Sequence, residues 1–145
     1  MANTHHITRS VFASTFPRLV TGRHLVPKKR NELQMLLTSV VFTFEFDRTY
    51  SERQVNELIA EWVSRFGTDL GIDHVTLRRY LVDEGLLVRD EFGSTYQLAA
   101  ASPFFSYDPS IRELDLEALI VEAGAERAAR KRAHLAAEGE GEQKG

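Results

Sequence analysis

One stretch restricts the fold more than any other part of the chain: HVTLRRYLVDEGLLVRDEFGSTYQL, residues 74–98. Its first part predicts a helix, because Leu77, Tyr80 and Leu81 recur at three- and four-residue intervals, between a capping Asp73 and a terminating Gly85. The remainder alternates apolar and polar residues on both sides of FGST, a pattern typical of a β-hairpin. A helix that leads almost directly into a hairpin is therefore predicted.

Two more amphipathic helices are predicted upstream. The first follows Pro27, a natural helix-entry position, and its apolar face comprises Leu33, Leu36, Leu37, Val40, Val41 and Phe44. The second follows a short extended segment and opens with a capping box formed by Ser51 and Gln54. Its apolar stripe comprises Val55, Leu58, Ile59, Trp62, Val63 and Phe66, and we expect Gly67 to end it.

Three helices, an extended element between the first two and a terminal hairpin predict a mostly helical α+β fold. The arrangement is that of a winged helix-turn-helix, which we place at residues 28–98. Residues 1–27 should form a basic arm or a helix that ends near Pro17. We expect a linker at 99–112, an additional C-terminal helix at 113–137 and a disordered tail at 138–145.

The composition excludes several classes of protein. The chain has 145 residues and no cysteine, which rules out disulfides, thiolate zinc sites and a cysteine nucleophile. No apolar run approaches the roughly 18 to 20 residues that a membrane span needs, so no membrane association is expected. The opening MANTHHITRS lacks the basic patch and apolar stretch of a secretory signal, which predicts a cytoplasmic protein.

Charge is distributed unevenly along the chain. Six basic residues and no acid precede Glu32, whereas the other 12 basic and 21 acidic residues give the remainder a charge of −9. The basic residues of this first segment are Arg9, Arg18, Arg23, Lys28, Lys29 and Arg30. A basic face and an anionic partner are one interpretation, and a solvated basic segment is the other.

Three motifs carry a resemblance to a known family: PKKR before the first helix, YSERQVNEL at 50–58 and LRRYLVDEGLLVR at 77–89. Residues 16–98 resemble a bacterial winged-helix-like domain family of unknown function, which also occurs fused to the C-terminal side of ArsR-type transcriptional regulators. VSRFGTDLGID is longer than the connection that this resemblance implies between the second and third helices. The resemblance implies the fold and a regulatory association, and no biochemical activity.

Nucleic acid is the first partner that these residues suggest. The polar side of the third helix carries His74, Thr76, Arg78 and Arg79. Phosphate contacts are also expected from Arg89 and Arg53, and from the first turn of the first helix, which contains Lys28, Lys29 and Arg30. Six acids against three arginines in residues 67–98 oppose this interpretation, because attraction to the phosphate backbone dominates affinity. Arg79 and Asp83 are also spaced to form an ion pair.

Two alternatives to DNA binding remain open. Leu116, Leu119, Ile120 and Ala123 form a stripe on the C-terminal helix that either dimerises the protein, binds a protein partner or covers its own core. The basic arm and RAARKRAH are suited to RNA, including ribosomal RNA.

No catalytic residue, metal ligand or cofactor is predicted. The five histidines lack metal-ligand spacing, and capping explains Ser51 better than nucleophilic catalysis does. The sequence therefore predicts a DNA-binding transcriptional regulator or accessory factor that is not an enzyme, with an interaction or RNA-binding adaptor as the alternative.

Overall fold

The computed structural model describes residues 5–22 and 26–143. It shows a mostly helical α+β protein that divides into two compact units, Met1–Glu113 and Leu114–Gly145. The described residues of the first unit form four α-helices: α1 (Arg9–Val20), α2 (Arg30–Val41), α3 (Glu52–Trp62) and α4 (His74–Asp83). So do five strands: β1 (His5–Ile7), β2 (Thr49–Ser51), β3 (Leu87–Arg89), β4 (Thr95–Leu98) and β5 (Phe105–Tyr107).

The strands form two small sheets. In the larger one the order is β2-β4-β3 and both pairings are antiparallel, so that the extended segment before α3 joins the hairpin. The smaller sheet pairs β1 with β5 in parallel, which fixes the start of the described chain against residues that follow the hairpin.

The sequence signals for α3 are confirmed. Ser51 and Gln54 form both hydrogen bonds of the capping box, at 3.1 Å and 2.9 Å. Four residues of the predicted apolar stripe are buried: Val55, Ile59, Trp62 and Phe66. The indole of Trp62 donates to Ser39 Oγ of α2 at 3.0 Å, so the polar edge of this large side chain is satisfied within the core.

Gly67 does not end this helical segment, contrary to the sequence prediction. The chain continues as a π-helical turn over Val63–Gly67 and a 3-10 turn over Thr68–Leu70, and it stops at Gly71, where φ is +62°. Gly67 instead allows close packing, because a Cβ atom there would lie 2.8 Å from the Trp62 ring. The long VSRFGTDLGID connection is thus occupied by additional helical turns.

Two other predicted boundaries are corrected. The helix predicted within residues 1–27 does not end near Pro17, because α1 continues to Val20. Phe16, Pro17 and Leu19 are all buried, so packing outweighs the loss of the backbone hydrogen bond that proline cannot form. The next helix begins at Arg30 rather than directly after Pro27, so Lys28 precedes it, and Lys29 is an N-cap that makes no side-chain hydrogen bond.

The predicted helix and hairpin at 73–98 are confirmed. Asp73 caps α4 by accepting a hydrogen bond from the Thr76 amide at 2.7 Å, which lowers the pKa of the Asp73 carboxyl. Gly85, at φ +72°, follows the helix, and a Cβ there would lie 2.7 Å from Pro103 Cδ. Strands β3 and β4 then form the antiparallel hairpin.

Residues 99–112, predicted to be a linker, contain β5 and lead into a 3-10 helix at Pro109–Glu113, with Phe105 and Ile111 buried in the first unit. The described part of the second unit is mainly a long helix, α5 (Leu116–Gln143), which begins three residues after the predicted start at 113. It extends to residue 143 of the segment predicted to be disordered, 138–145, whose last two residues lie outside the described ones. Asp115 accepts a hydrogen bond from the Ala118 amide at its start. Within the described residues, no helix is both long and apolar enough to cross a membrane.

Candidate nucleic-acid interface

Helix α4 and the β3–β4 hairpin form a groove of about 410 Å³, which we call the α4–hairpin groove. Its lining residues are Val75, Arg78, Arg79, Val82, Asp83, Arg89 and Tyr96. The groove exists because Gly85 turns the chain directly from α4 into β3, and because Arg89 lies opposite Tyr96 in the hairpin register. The structure therefore brings together three of the arginines that the sequence suggests for nucleic acid.

Arg79 and Arg89 are the exposed cations of this groove. Neither forms an ion pair within residues 5–22 and 26–143, and the predicted pair between Arg79 and Asp83 is not formed. Arg79 extends from α4 and Arg89 from β3, so the two guanidinium groups reach the groove from different elements. Both are free to contact an anion.

Arg78 has a different environment from its neighbour. It donates from Nη1 to Asn56 Oδ1 and lies 3.1 Å from Glu52 Oε1 through Nη2, and only 18% of its side chain is exposed. Both partners belong to α3. The guanidinium therefore joins the two helices, and its donors are already engaged by protein acceptors.

Arg30 is engaged in a comparable way at the other end of α4. It binds the carboxylate of Glu84 through two nitrogens, at 3.0 Å and 3.3 Å, and its guanidinium lies 5.1 Å from the centre of the Phe104 ring. The hydrogen bond to Glu84 raises the pKa of Arg30. Gln34 also donates to Glu84, which is only 8% exposed, so α2 is anchored to the end of α4.

The other predicted nucleic-acid residues lie on separate parts of the surface. Lys28 and Lys29 are exposed just before α2 and form no ion pair in the part of the chain that the structure describes. Arg53 pairs with Glu57 along α3 at 3.1 Å. His74 and Thr76 lie half-buried in the first turn of α4, where the Thr76 amide is satisfied by Asp73.

Three of the six acids that oppose nucleic-acid binding have structural partners. Asp73 caps α4, Glu84 is buried against Arg30, and Asp90 accepts three hydrogen bonds within the hairpin turn. Of the acids between 67 and 98, Asp83 is the one that lines the α4–hairpin groove. The groove therefore carries a net positive charge even though the segment that forms it is acidic.

Sequence reasoning missed several residues at this site. Tyr96 and Val75 line the groove, and the hairpin exposes Val88 by 57% and Phe92 by 83%. The alternation of the hairpin would have indicated Val88. Nothing local could have indicated Asn56 as a partner of Arg78, because 22 residues separate them in the sequence.

A comparison with models of protein families identifies the family of this chain. A model of the family described as an uncharacterized protein conserved in bacteria, DUF2087, matches residues 24–98. The chain belongs to this family. The DUF2087 match spans α2 to β4 and includes every residue that lines the α4–hairpin groove. No curated protein and no solved structure matches the chain.

Proposed function

We propose that this DUF2087 protein is a DNA-binding transcriptional regulator or accessory factor of the winged helix-turn-helix type. The order α2, β2, α3, α4, β3, β4, with β2 paired to the hairpin, supports this topology. In such a fold α4 is the recognition helix and the hairpin is the wing. Fold alone does not give function, so the proposal depends on the site.

One observation carries the proposal: Arg79 of the recognition helix and Arg89 of the wing are both exposed, line one groove, and form no ion pair with a described residue. Guanidinium groups bind phosphate oxygens and the edge of guanine with paired hydrogen bonds. We assign direct DNA contacts to Arg79 and Arg89, and additional phosphate contacts to Lys28 and Lys29. Arg78 then has the role of orienting the recognition helix against α3.

In the first step of the test, the full chain is used to select the duplexes that it binds from a DNA library of random sequence. Affinity for the selected duplex is then measured by fluorescence anisotropy at several salt concentrations, for the wild type and for a variant with Arg79→Ala and Arg89→Ala. We expect the double variant to lose affinity at least about tenfold. The slope of log affinity against log salt should also fall by about 1 for each phosphate contact removed.

Arg48→Ala provides the matched control, since Arg48 is an exposed arginine that does not line the groove and is paired with Glu45. It should bind as the wild type does. Failure to select any duplex, or equal affinity of a folded double variant and the wild type, would refute the proposal. Selective binding of RNA by the same protein would favour the RNA adaptor instead.

A second candidate function concerns α5, as a helix for dimerisation or a protein partner. None of its side chains between 116 and 138 is buried, although the helix contains Leu116, Leu119, Ile120 and Ala123 at the spacing of one face. These four side chains are half-buried, so part of the stripe remains exposed and can contact the apolar surface of a partner. We therefore propose that this stripe contacts a second copy of the chain.

Sedimentation of the full chain tests this candidate. We expect a dimer that Leu119→Glu with Ile120→Glu converts to a monomer, because each substitution would place a charge in the interface. Val121→Glu is the matched control, since Val121 is already 70% exposed and is not part of the stripe. A monomeric wild type would rule out self-association.

A further inference from the structure

A second cavity lies in the first unit, and its lining does not overlap that of the α4–hairpin groove. Its volume is about 520 Å³, and its walls include Phe46, Leu86, Ala99, Phe105, Tyr107 and Arg112. It lies at the base of the hairpin, because Leu86 directly precedes β3, Ala99 directly follows β4, and the Ala99 amide donates to the Leu86 carbonyl at 3.0 Å. We call it the apolar cavity.

Arg112 supplies the charge of the apolar cavity. Its guanidinium lies 5.0 Å from the centre of the Phe42 ring and 5.3 Å from that of Phe46, and it donates to the Phe44 carbonyl at 3.4 Å. The two rings restrict its orientation. Arg112 forms no ion pair with any described residue, and the described lining contains no aspartate or glutamate.

The remaining polar groups of the cavity are uncharged. The Ser102 hydroxyl donates a hydrogen bond to the Glu84 carbonyl and accepts one from the Phe104 amide. The Ser106 hydroxyl is hydrogen-bonded to His6 Nδ1 at 2.7 Å. Burial raises the pKa of the Tyr107 hydroxyl, so this group is neutral at ordinary pH. The cavity thus combines an apolar wall with a single fixed positive charge at its margin.

We propose that the apolar cavity binds a small molecule with an apolar body and one carboxylate, which pairs with Arg112. The volume lies within the range of ligand pockets, roughly 300 to 1,000 Å³, which are mainly apolar with few polar groups. A carboxylate accepts charge-assisted hydrogen bonds from a guanidinium, whereas an alcohol forms weaker bonds and an ammonium is repelled. A ligand bound here contacts both residues that close the base of the hairpin.

Calorimetric titration of the full chain with three ligands that share one tail tests the charge requirement. The ligands are octanoate, octan-1-ol and octylammonium, and cinnamate serves as a rigid second carboxylate. We expect at least one carboxylate to bind, and octanoate to bind about tenfold more tightly than the alcohol, a ratio that corresponds to ~1.4 kcal/mol. The ammonium should bind most weakly.

Two variants locate the binding site. Arg112→Gln should reduce carboxylate affinity about tenfold and leave alcohol affinity unchanged, while Arg48→Gln, at a guanidinium that also lies over an aromatic ring, should change neither. Ala101→Trp should abolish the binding of both, because Ala101 lines this cavity and its new ring would fill it.

Several results would overturn the proposal. The first is that neither octanoate nor cinnamate releases or absorbs heat of binding at millimolar concentration. The second is that octanoate and octan-1-ol bind with equal affinity. The third is that octanoate still binds tightly to an Ala101→Trp variant whose circular dichroism matches that of the wild type. If Arg112→Gln does not fold, the Ala101→Trp variant and the comparison of the three head groups still test the proposal. None of these readouts involves DNA, so their failure is independent of the function proposed above.

Discussion

Arg78 and Arg79 are adjacent in the sequence and identical in chemistry, but their surroundings differ. The helix turns by about 100° per residue, so one side chain meets α3 while the other faces the groove. The sequence places both on the polar side of α4 and assigns both to nucleic acid. It could not distinguish them, because the partners of Arg78 come from another helix.

We predict that Arg78→Ala lowers the free energy of unfolding by about 1 to 3 kcal/mol, the range for losing hydrogen bonds to charged or partly buried groups. Arg79→Ala should change it by less than about 0.5 kcal/mol, as is usual for an exposed side chain, because Arg79 forms no ion pair within the described part of the chain. Urea unfolding followed by the fluorescence of Trp62 measures both values. Equal destabilisation by the two substitutions would show that Arg78 does not hold the helices together.

At the scale of elements, the sequence predicted best those features whose signals are local. The capping box of α3, the Asp73 cap of α4 and the turn of the hairpin each depend on residues within five positions of one another. The errors at Pro17 and Gly67 arose where tertiary packing decides. Pro17 is buried within α1, and Gly67 packs against Trp62, so neither acts as the helix breaker that its residue type suggests.

The hairpin turn allows a pH test of one element. Asp90 accepts hydrogen bonds from the Ser94 hydroxyl and from the Ser94 and Thr95 amides, which lower its pKa from 3.8 to about 2. A carboxyl whose pKa is lower in the folded state stabilises that state above its unfolded pKa, and the stabilisation is lost as pH falls towards the folded pKa. We therefore expect the melting temperature of the wild type to fall between about pH 4 and pH 2 relative to that of Asp90→Asn.

Thermal unfolding of the two proteins across this pH range measures the difference. At neutral pH, Asp90→Asn should be the less stable of the two, because its amide lacks the charge that strengthens these hydrogen bonds. The neighbouring Glu91→Gln is the control, since Glu91 is exposed and accepts no hydrogen bond from any residue that the structure describes. Parallel curves for the wild type and Asp90→Asn would show that the turn does not depend on the ionised carboxylate.

For the whole molecule, the sequence predicted the mostly helical α+β class and the family, whereas the groove and the apolar cavity could not be predicted. Both sites combine residues that are far apart in the chain. In the groove, Arg79 meets Arg89 because Gly85 turns the chain, and in the cavity Phe46 meets Arg112 through packing of the first unit. The segment expected to be a linker supplies Tyr107 and Arg112 to the apolar cavity, so this segment forms part of a candidate binding site.

The division into two units predicts how the chain tolerates truncation. Every buried hydrophobic residue of the described chain lies between Ile7 and Ile111, so a protein that ends at Glu113 retains the whole of this core. We expect its melting temperature to lie within about 4 °C of the full-length value, the shift produced by less than about 1 kcal/mol in a domain of this size. Its unfolding, followed by the fluorescence of the buried Trp62, should remain cooperative.

A protein that ends at Phe104 is the matched control. It lacks β5 and with it the buried side chains of Phe105 and Ile111, and loss of a buried phenylalanine alone typically costs about 3 to 5 kcal/mol. We expect this shorter protein to lose its cooperative transition, because it also leaves β1 without the strand that pairs with it. If the chain that ends at Glu113 melted in the same way as the one that ends at Phe104, the first unit would not be an independent folding unit, and α5 would be required for its stability.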